Sequence, residues 1–170
     1  YGDAVECTRR CEAGEPSSCN DLALMLARGD GVTADDQKAT TFYLRACELE
    51  SAIGCNNAGL RFESGRGVPV DETRAVVLYE RACTAGHGAG CNNSARMIGT
   101  GSGVPKDEAK AVSLFERGCG FGDAQACGNL GWFYVKGRGV ARDPAVGRGY
   151  LTKACKAGNG WACDRAKDVP

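Results

Sequence analysis

The stretch CTAGHGAGC, residues 83–91, sets two cysteines around seven small or polar residues. The same frame recurs as Cys11–Cys19, Cys47–Cys55, Cys83–Cys91, Cys119–Cys127 and Cys155–Cys163, with equivalent cysteines 36 residues apart each time. A fixed period of that length marks a chain built from one supersecondary unit, stacked so that each copy packs on its neighbours.

The copies align without a gap. Residues 54–83 read GCNNAGLRFESGRGVPVDETRAVVLYERAC, and residues 90–119 read GCNNSARMIGTGSGVPKDEAKAVSLFERGC. In each copy two stretches carry small or apolar residues at helical spacing. One is Cys55, Ala58, Gly59 and Phe62; the other is Ala75, Leu78, Tyr79 and Ala82. Between them stands Gly65-x-Gly67-Val68, repeated at Gly29, Gly101 and Gly137, which predicts a glycine-closed helix end. Asp35, Asp71, Asp107 and Asp143 follow as N-caps of the second helix, with Pro144 at a first helical position. Gly86, Gly122 and Gly158 end the second helix. Glu50 breaks that column, so its corner is expected to close differently. Gly59, Ala95 and Gly131 are expected to admit larger residues of the second helix, and Gly147 departs from the alanine of its column.

The expected fold is all-α: a right-handed α-solenoid of antiparallel helix pairs forming a single repeat domain over residues 1–170. Its parts are a partial helix at 1–14, repeats at 15–50, 51–86, 87–122 and 123–158, and a capping helix at 159–170.

The string G-x-G-V-x-x-D-x-x-x-A-x-x-x-[YF]-x-[RK]-A resembles the Sel1-like repeat, a relative of the tetratricopeptide repeat. The added cysteine pair is similar to the secreted Helicobacter cysteine-rich protein branch of that family. The likeness covers nearly the whole chain.

A disulfide most often joins Cα atoms about 5.5–6 Å apart. Cys83 ends one helix and Cys91 begins the next, so a pair spaced by seven can meet across a short corner. Linking Cys55 to Cys83 within one copy is the alternative, but it strands Cys11 and Cys163. The spacing of seven leaves only Cys7, which falls in the core column of Tyr43, Tyr79, Phe115 and Leu151 and reads as a buried free thiol. Five disulfides imply an oxidising compartment, so the expectation is a secreted, periplasmic or cell-surface bacterial protein, ahead of a mitochondrial intermembrane location. The sequence begins at Tyr1 without initiator Met or leader, as a processed chain or a cloned fragment would. No apolar run approaches the ~20 residues of a membrane span. Lys and Arg number 21 against 21 Asp and Glu, so no nucleic-acid footprint is present.

Chemistry is sparse. Some cysteine-rich relatives are penicillin-binding or weakly β-lactamase-active, so the resemblance implies a β-lactam- or peptidoglycan-binding alternative. Yet no Ser has Lys three residues later, and neither S-D-N nor K-T-G occurs. Zinc sites favour shorter cysteine spacings, and His87 is the single histidine, read as a solvated turn residue. No metal, cofactor or catalytic residue is expected. Asn92-Asn93-Ser94 spells a glycosylation sequon, but within a helix.

Partner binding is the expected function. In tetratricopeptide-like repeats the first helices line a concave groove, and here their non-core stripe varies between copies. Asn20, Asn56 and Asn92 read as one carboxamide ladder, and Asp21, Asn57, Asn93 and Asn129 as another beside it. Carboxamides donate and accept, which suits the backbone of an extended peptide. Their structural alternative is capping, or hydrogen bonding between repeats. Leu60, Arg61, Arg96 and Trp132 are the candidate selectivity anchors. Trp132 has an alternative role in packing on Trp161 or the terminal cap. Arg45, Arg81, Arg117 and Lys153 form a basic column on the second helices, read as a solvated face neutralised by Glu80 and Glu116. The expected partner is a protein or extended peptide, with peptidoglycan fragments as the alternative.

Overall fold

The computed structural model describes residues 3–169. All regular structure among them is α-helical. The chain divides into two compact units, Tyr1–Ala85 and Gly86–Pro170. The first holds α1 (Ala4–Glu12), α2 (Pro16–Arg28), α3 (Asp36–Glu48), α4 (Ala52–Ser64) and α5 (Glu72–Thr84). The second holds α6 (Gly88–Thr100), α7 (Glu108–Gly120), α8 (Ala124–Lys136), α9 (Pro144–Lys156) and α10 (Gly160–Asp168). Within each unit every helix packs on the next, so each is a short stack of antiparallel helix pairs.

The two corner types explain why the helices stop where they do. After each first helix the leading glycine takes the left-handed conformation, with φ of 77° at Gly29, 71° at Gly65, 83° at Gly101 and 68° at Gly137. The Asp caps then accept from the backbone amides of Lys38, Arg74, Lys110 and Val146. The second corner closes on Gly14, Gly86, Gly122 and Gly158, all at positive φ. Glu50 does not close its corner differently, contrary to the sequence expectation. It adopts φ 64°, and its amide donates to the Cys47 carbonyl at 3.0 Å, as Gly122 does to Cys119. The surrounding corner dictates the conformation, and the side chain carries the strain. Glu50→Gly is therefore expected to stabilise the fold by about 0.5–1 kcal/mol, read as a higher urea midpoint.

Disulfides lock these second corners. Cys11–Cys19, Cys47–Cys55, Cys119–Cys127 and Cys155–Cys163 are bonded, with Cα separations of 4.4–4.6 Å. Cys83 and Cys91 are disulfide-bonded as well. Cys7 is free and buried.

Shape complementarity fills the core. A Cβ on Gly59 would stand 2.6 Å from the Tyr79 ring, and one on Gly131 would stand 2.9 Å from Leu151 Cγ. Gly147 departs from its column for a local reason: Val135 points at it, and an added Cβ would lie 2.6 Å from Val135 Cγ2. One repeat earlier the sizes are exchanged, with Gly99 on the first helix and Ala111 on the second.

Two corner side chains do more than the sequence reading assigned them. Arg81 donates to the Cys47 carbonyl at 3.1 Å and Lys153 to the Cys119 carbonyl at 3.5 Å. The basic column is thus not merely a solvated face. These cations neutralise the C-terminal end of the second helix one repeat back, where the helix dipole favours positive charge. Arg45 has no such carbonyl bond and meets Glu48 instead, at 3.4 Å.

His87 is likewise not a free turn residue. It is the N-cap of α6, its Nδ1 accepting from the Gly90 amide at 3.2 Å. Ser51, Asp123 and Asn159 hold the same place in α4, α8 and α10. Burial pushes the imidazole pKa down, opposed by the charge of Asp123. The neutral ring is the one that can accept, so the cap is intact above the ordinary histidine range and is lost as pH falls below it. Between pH 7.5 and 5.5 the melting temperature should fall by roughly 2–3 °C, the worth of one cap of about 1 kcal/mol. His87→Ser should remove that slope.

Candidate functional site

The variable stripe of the first helices carries a cavity of about 270 Å3 in the first unit that includes Asn20, Asp21 and Ile53, and two further pockets, one in each unit, that share one plan. In the first unit a cavity of about 320 Å3 is lined by Tyr43, Asn57, Leu60, Arg61, Ser64 and Arg66. In the second a cavity of about 200 Å3 includes Phe115, Asn129, Trp132, Phe133 and Arg138. Adding 72 to Tyr43, Asn57, Leu60, Arg61 and Arg66 yields those five residues. They are one pocket, built twice on the same backbone frame.

The shared frame has three parts. The second helix of the preceding pair supplies a buried ring, Tyr43 or Phe115. A carboxamide forms one wall. Asn57 Nδ2 donates to Asn20 Oδ1 at 2.9 Å, and Asn129 Nδ2 donates to Asn92 Oδ1 at 2.8 Å. An arginine from the G-x-G turn closes the far side, tied to the first residue of the preceding second helix. Arg66 Nη2 reaches Asp36 Oδ1 at 3.2 Å, and Arg138 Nη2 reaches Glu108 Oε1 at 2.7 Å. Hydrogen bonds from Lys106 and then Arg138 hold the Glu108 carboxyl below its ordinary pKa.

Several sequence candidates change character in this setting. The two asparagine ladders bond to each other at one point in each unit, Asn57 to Asn20 and Asn129 to Asn92, each across adjacent repeats. Part of their hydrogen-bonding capacity is spent within the fold. Asn56 is buried, at 7 % exposure, so it faces the interior rather than a groove. Arg61 is buried too: its Nη1 donates to Asp36 Oδ1 at 2.7 Å, and its guanidinium lies 5.4 Å from the Tyr43 ring centroid. It braces the first pocket from beneath. Leu60 stands at the rim, 43 % exposed. Asn93 is half-buried and Arg96 exposed on α6, and Arg96 lines the second pocket.

The second pocket is aromatic where the first is cationic. Phe133 replaces Arg61 and packs edge-on against Phe115, with centroids 5.2 Å apart. Trp132 replaces Leu60 and meets Trp161 edge-on at 6.0 Å, realising its packing alternative while still lining the cavity. Lys136 Nζ stands 4.5 Å and Arg165 Cζ 4.8 Å from the Trp132 centroid.

Sequence reasoning missed Arg66, Arg138, Lys136 and Arg165. Two of these had a readable signal: the middle residue of G-x-G is Arg at 66 and 138 but Asp at 30 and Ser at 102. A further cavity of about 530 Å3 lies at the Cys47–Cys55 corner, lined by Glu50, Val77, Glu80, Arg81 and Thr84 among others. No cluster of metal-ligating side chains is present among the described residues. No helix among them is long and apolar enough to cross a membrane.

Comparison with known proteins places this geometry. The family model described as the Sel1 repeat matches residues 16–51, 52–87, 88–119 and 124–159. Among solved structures the chain is similar to c5321, a protective antigen present in uropathogenic Escherichia coli strains and displaying an SLR fold. There the identity is 29 % and the TM-score 0.91, over 97 % of this chain and 35 % of that one. It is also similar to a Sel1 repeat protein from Oxalobacter formigenes (28 % identity, TM-score 0.82, 88 % of this chain and 59 % of that one). Helicobacter pylori cysteine rich protein B matches at 29 % identity and a TM-score of 0.63, over 80 % of this chain and 98 % of that one. The chain therefore spans about a third and about three-fifths of the first two relatives. No curated protein sequence matches it.

Proposed function

Because the chain belongs to the Sel1-repeat family, whose members are generally protein-binding, non-catalytic scaffolds, we propose that it is a secreted, periplasmic or cell-surface scaffold. On this reading it binds a protein or extended peptide through its first-helix faces. One observation carries the reading: the same pocket occurs twice on one backbone frame, with its ring, carboxamide and tethered arginine kept and its rim and floor exchanged. A frame of that kind holds a polypeptide backbone in the same way at each step while the lining chooses the side chain. The remaining capacity of the Asn57 and Asn129 carboxamides suits such a backbone, and the corner disulfides support an oxidising compartment.

The test is crosslinking mass spectrometry on secreted material, followed by pulldown with Trp132→Ala and Arg96→Ala. The expected result is a specific partner, crosslinked to first-helix residues and weakened at least tenfold by the two substitutions. Crosslinks confined to the second helices would overturn it. The same preparation is expected to leave a chromogenic cephalosporin unhydrolysed.

A further inference from the structure

The second unit's pocket carries a charge pattern that the scaffold reading leaves unspecified. The α8 helix contains no acidic residue, and α10 contains Asp164 and Asp168. Asp164 accepts from Lys167 at 3.2 Å, and Glu108 is bound to Lys106 and Arg138. Lys136 and Arg165 are different. Each stands over the Trp132 ring, and Arg165 also lies 5.8 Å from the Trp161 centroid. Neither has an acidic partner among the described residues. Two exposed cations thus stand against Trp132, a wall of the aromatic pocket, in a chain whose formal charge balances to zero.

The indoles fix what these cations present. A cation held against an aromatic face loses rotamer freedom before a ligand arrives, while its outward side stays available to an anion. The pocket is also the right size for one side chain: about 200 Å3, floored by Phe115 and Phe133. Aromatic floor and exposed cations together match an apolar side chain with carboxylates beside it.

Resting on the scaffold reading above, we propose that the second unit binds an acidic segment of a partner protein. That segment seats one apolar side chain between Trp132 and Phe133 and sets its flanking Asp or Glu carboxylates against Lys136 and Arg165. The first unit's pocket differs in kind, because its guanidinium groups, Arg61 and Arg66, both share the Asp36 carboxylate. Cations without an acidic partner among the described residues stand against a pocket wall in the second unit, at Trp132.

The test uses the whole oxidised chain and a phage-displayed library of random dodecapeptides. The expected selection is enriched in peptides with an aromatic or aliphatic residue flanked by Asp or Glu. A synthetic peptide from that set should bind about tenfold more weakly when its acids are changed to Asn and Gln. It should weaken similarly between 20 and 200 mM salt, as screened ion pairs do. Lys136→Glu with Arg165→Glu should shift selection away from acidic peptides while leaving the far-UV circular dichroism spectrum helical, since both side chains are exposed. Enrichment of neutral or basic peptides on the native chain overturns the acidic-segment proposal and leaves the scaffold reading standing. Indifference of the acidic peptides to the double reversal does the same. Enrichment of no peptide, with tryptophan quenching by peptidoglycan fragments instead, overturns both.

Discussion

Gly67→Ala and Gly139→Ala are expected to cost about 3–4 kcal/mol each, while Gly31→Ala, at the equivalent position of the first repeat, costs only about 1–2 kcal/mol. All three glycines have positive φ: 73° at Gly31, 76° at Gly67 and 63° at Gly139. The left-handed penalty is therefore common to them. What differs is the neighbour. A Cβ on Gly67 would lie 2.1 Å from the Asp36 carbonyl oxygen, and one on Gly139 would lie 2.2 Å from the Glu108 carbonyl oxygen. On Gly31 it would meet only Met25 Cε, at 3.8 Å. In the first two cases the G-x-G turn presses on the opening turn of the preceding second helix, where no flexible side chain can yield. Thr40 marks the same seam, its Oγ1 donating to the Arg66 carbonyl at 3.0 Å. Thermal melts should show losses of roughly 10 °C for Gly67→Ala and Gly139→Ala against roughly 3–5 °C for Gly31→Ala. Equal losses at all three positions would mean that the turn conformation, and not the seam, sets the requirement for glycine.

These glycines also show where sequence reading stops. Periodicity marked two helices in each full repeat, because apolar spacing, Asp caps and Gly stops act within a few residues of one another. The first glycine of G-x-G was legible as a helix end for the same reason. The second was not: its constraint comes from a backbone thirty residues earlier, at Asp36 or Glu108, and no local rule carries that distance. Glu50 is the converse case. Local chemistry argued for a different corner, and the flanking helices imposed the common one. At the candidate site the stripe was legible and its chemistry only partly so. Arg61 and Asn56 share that stripe with exposed neighbours, yet both are buried, because the register of adjacent helices decides which side of the stripe is covered. Arg165 belongs to another element altogether, and only folding brings it to Trp132.

Reduction of the corner disulfides should produce the largest change of all. Each bond closes a loop of nine residues, for which chain entropy gives about 2.5 kcal/mol. Five such loops sum to on the order of 10 kcal/mol, comparable with the whole net stability of a typical domain. Full reduction is therefore expected to lower the melting temperature by tens of degrees and to broaden the transition. Single pairs discriminate further. Replacing both Cys47 and Cys55 by Ser opens a corner whose other ties persist, since the Cys47 carbonyl still accepts from the Glu50 amide and from Arg81. A loss of about 2–3 kcal/mol is expected there, with the helices intact by circular dichroism. Replacing Cys155 and Cys163 opens a loop of the same length, so loop entropy alone predicts the same loss. The two corners differ in what the opening releases. The pair Cys47–Cys55 joins two thirteen-residue helices that each pack on another neighbour, whereas Cys155–Cys163 holds α10, nine residues long and packed chiefly on α9. Stability in a stack is a sum of unit and neighbour terms, so release of α10 should appear in hydrogen exchange as local opening confined to residues 160–168, ahead of the main transition. Opening at Cys47–Cys55 should instead lower the protection of α3 and α4 together. A reduced protein that melts within a few degrees of the oxidised one would show that helix packing holds the corners unaided, and would remove the physical reason for placing this chain in an oxidising compartment.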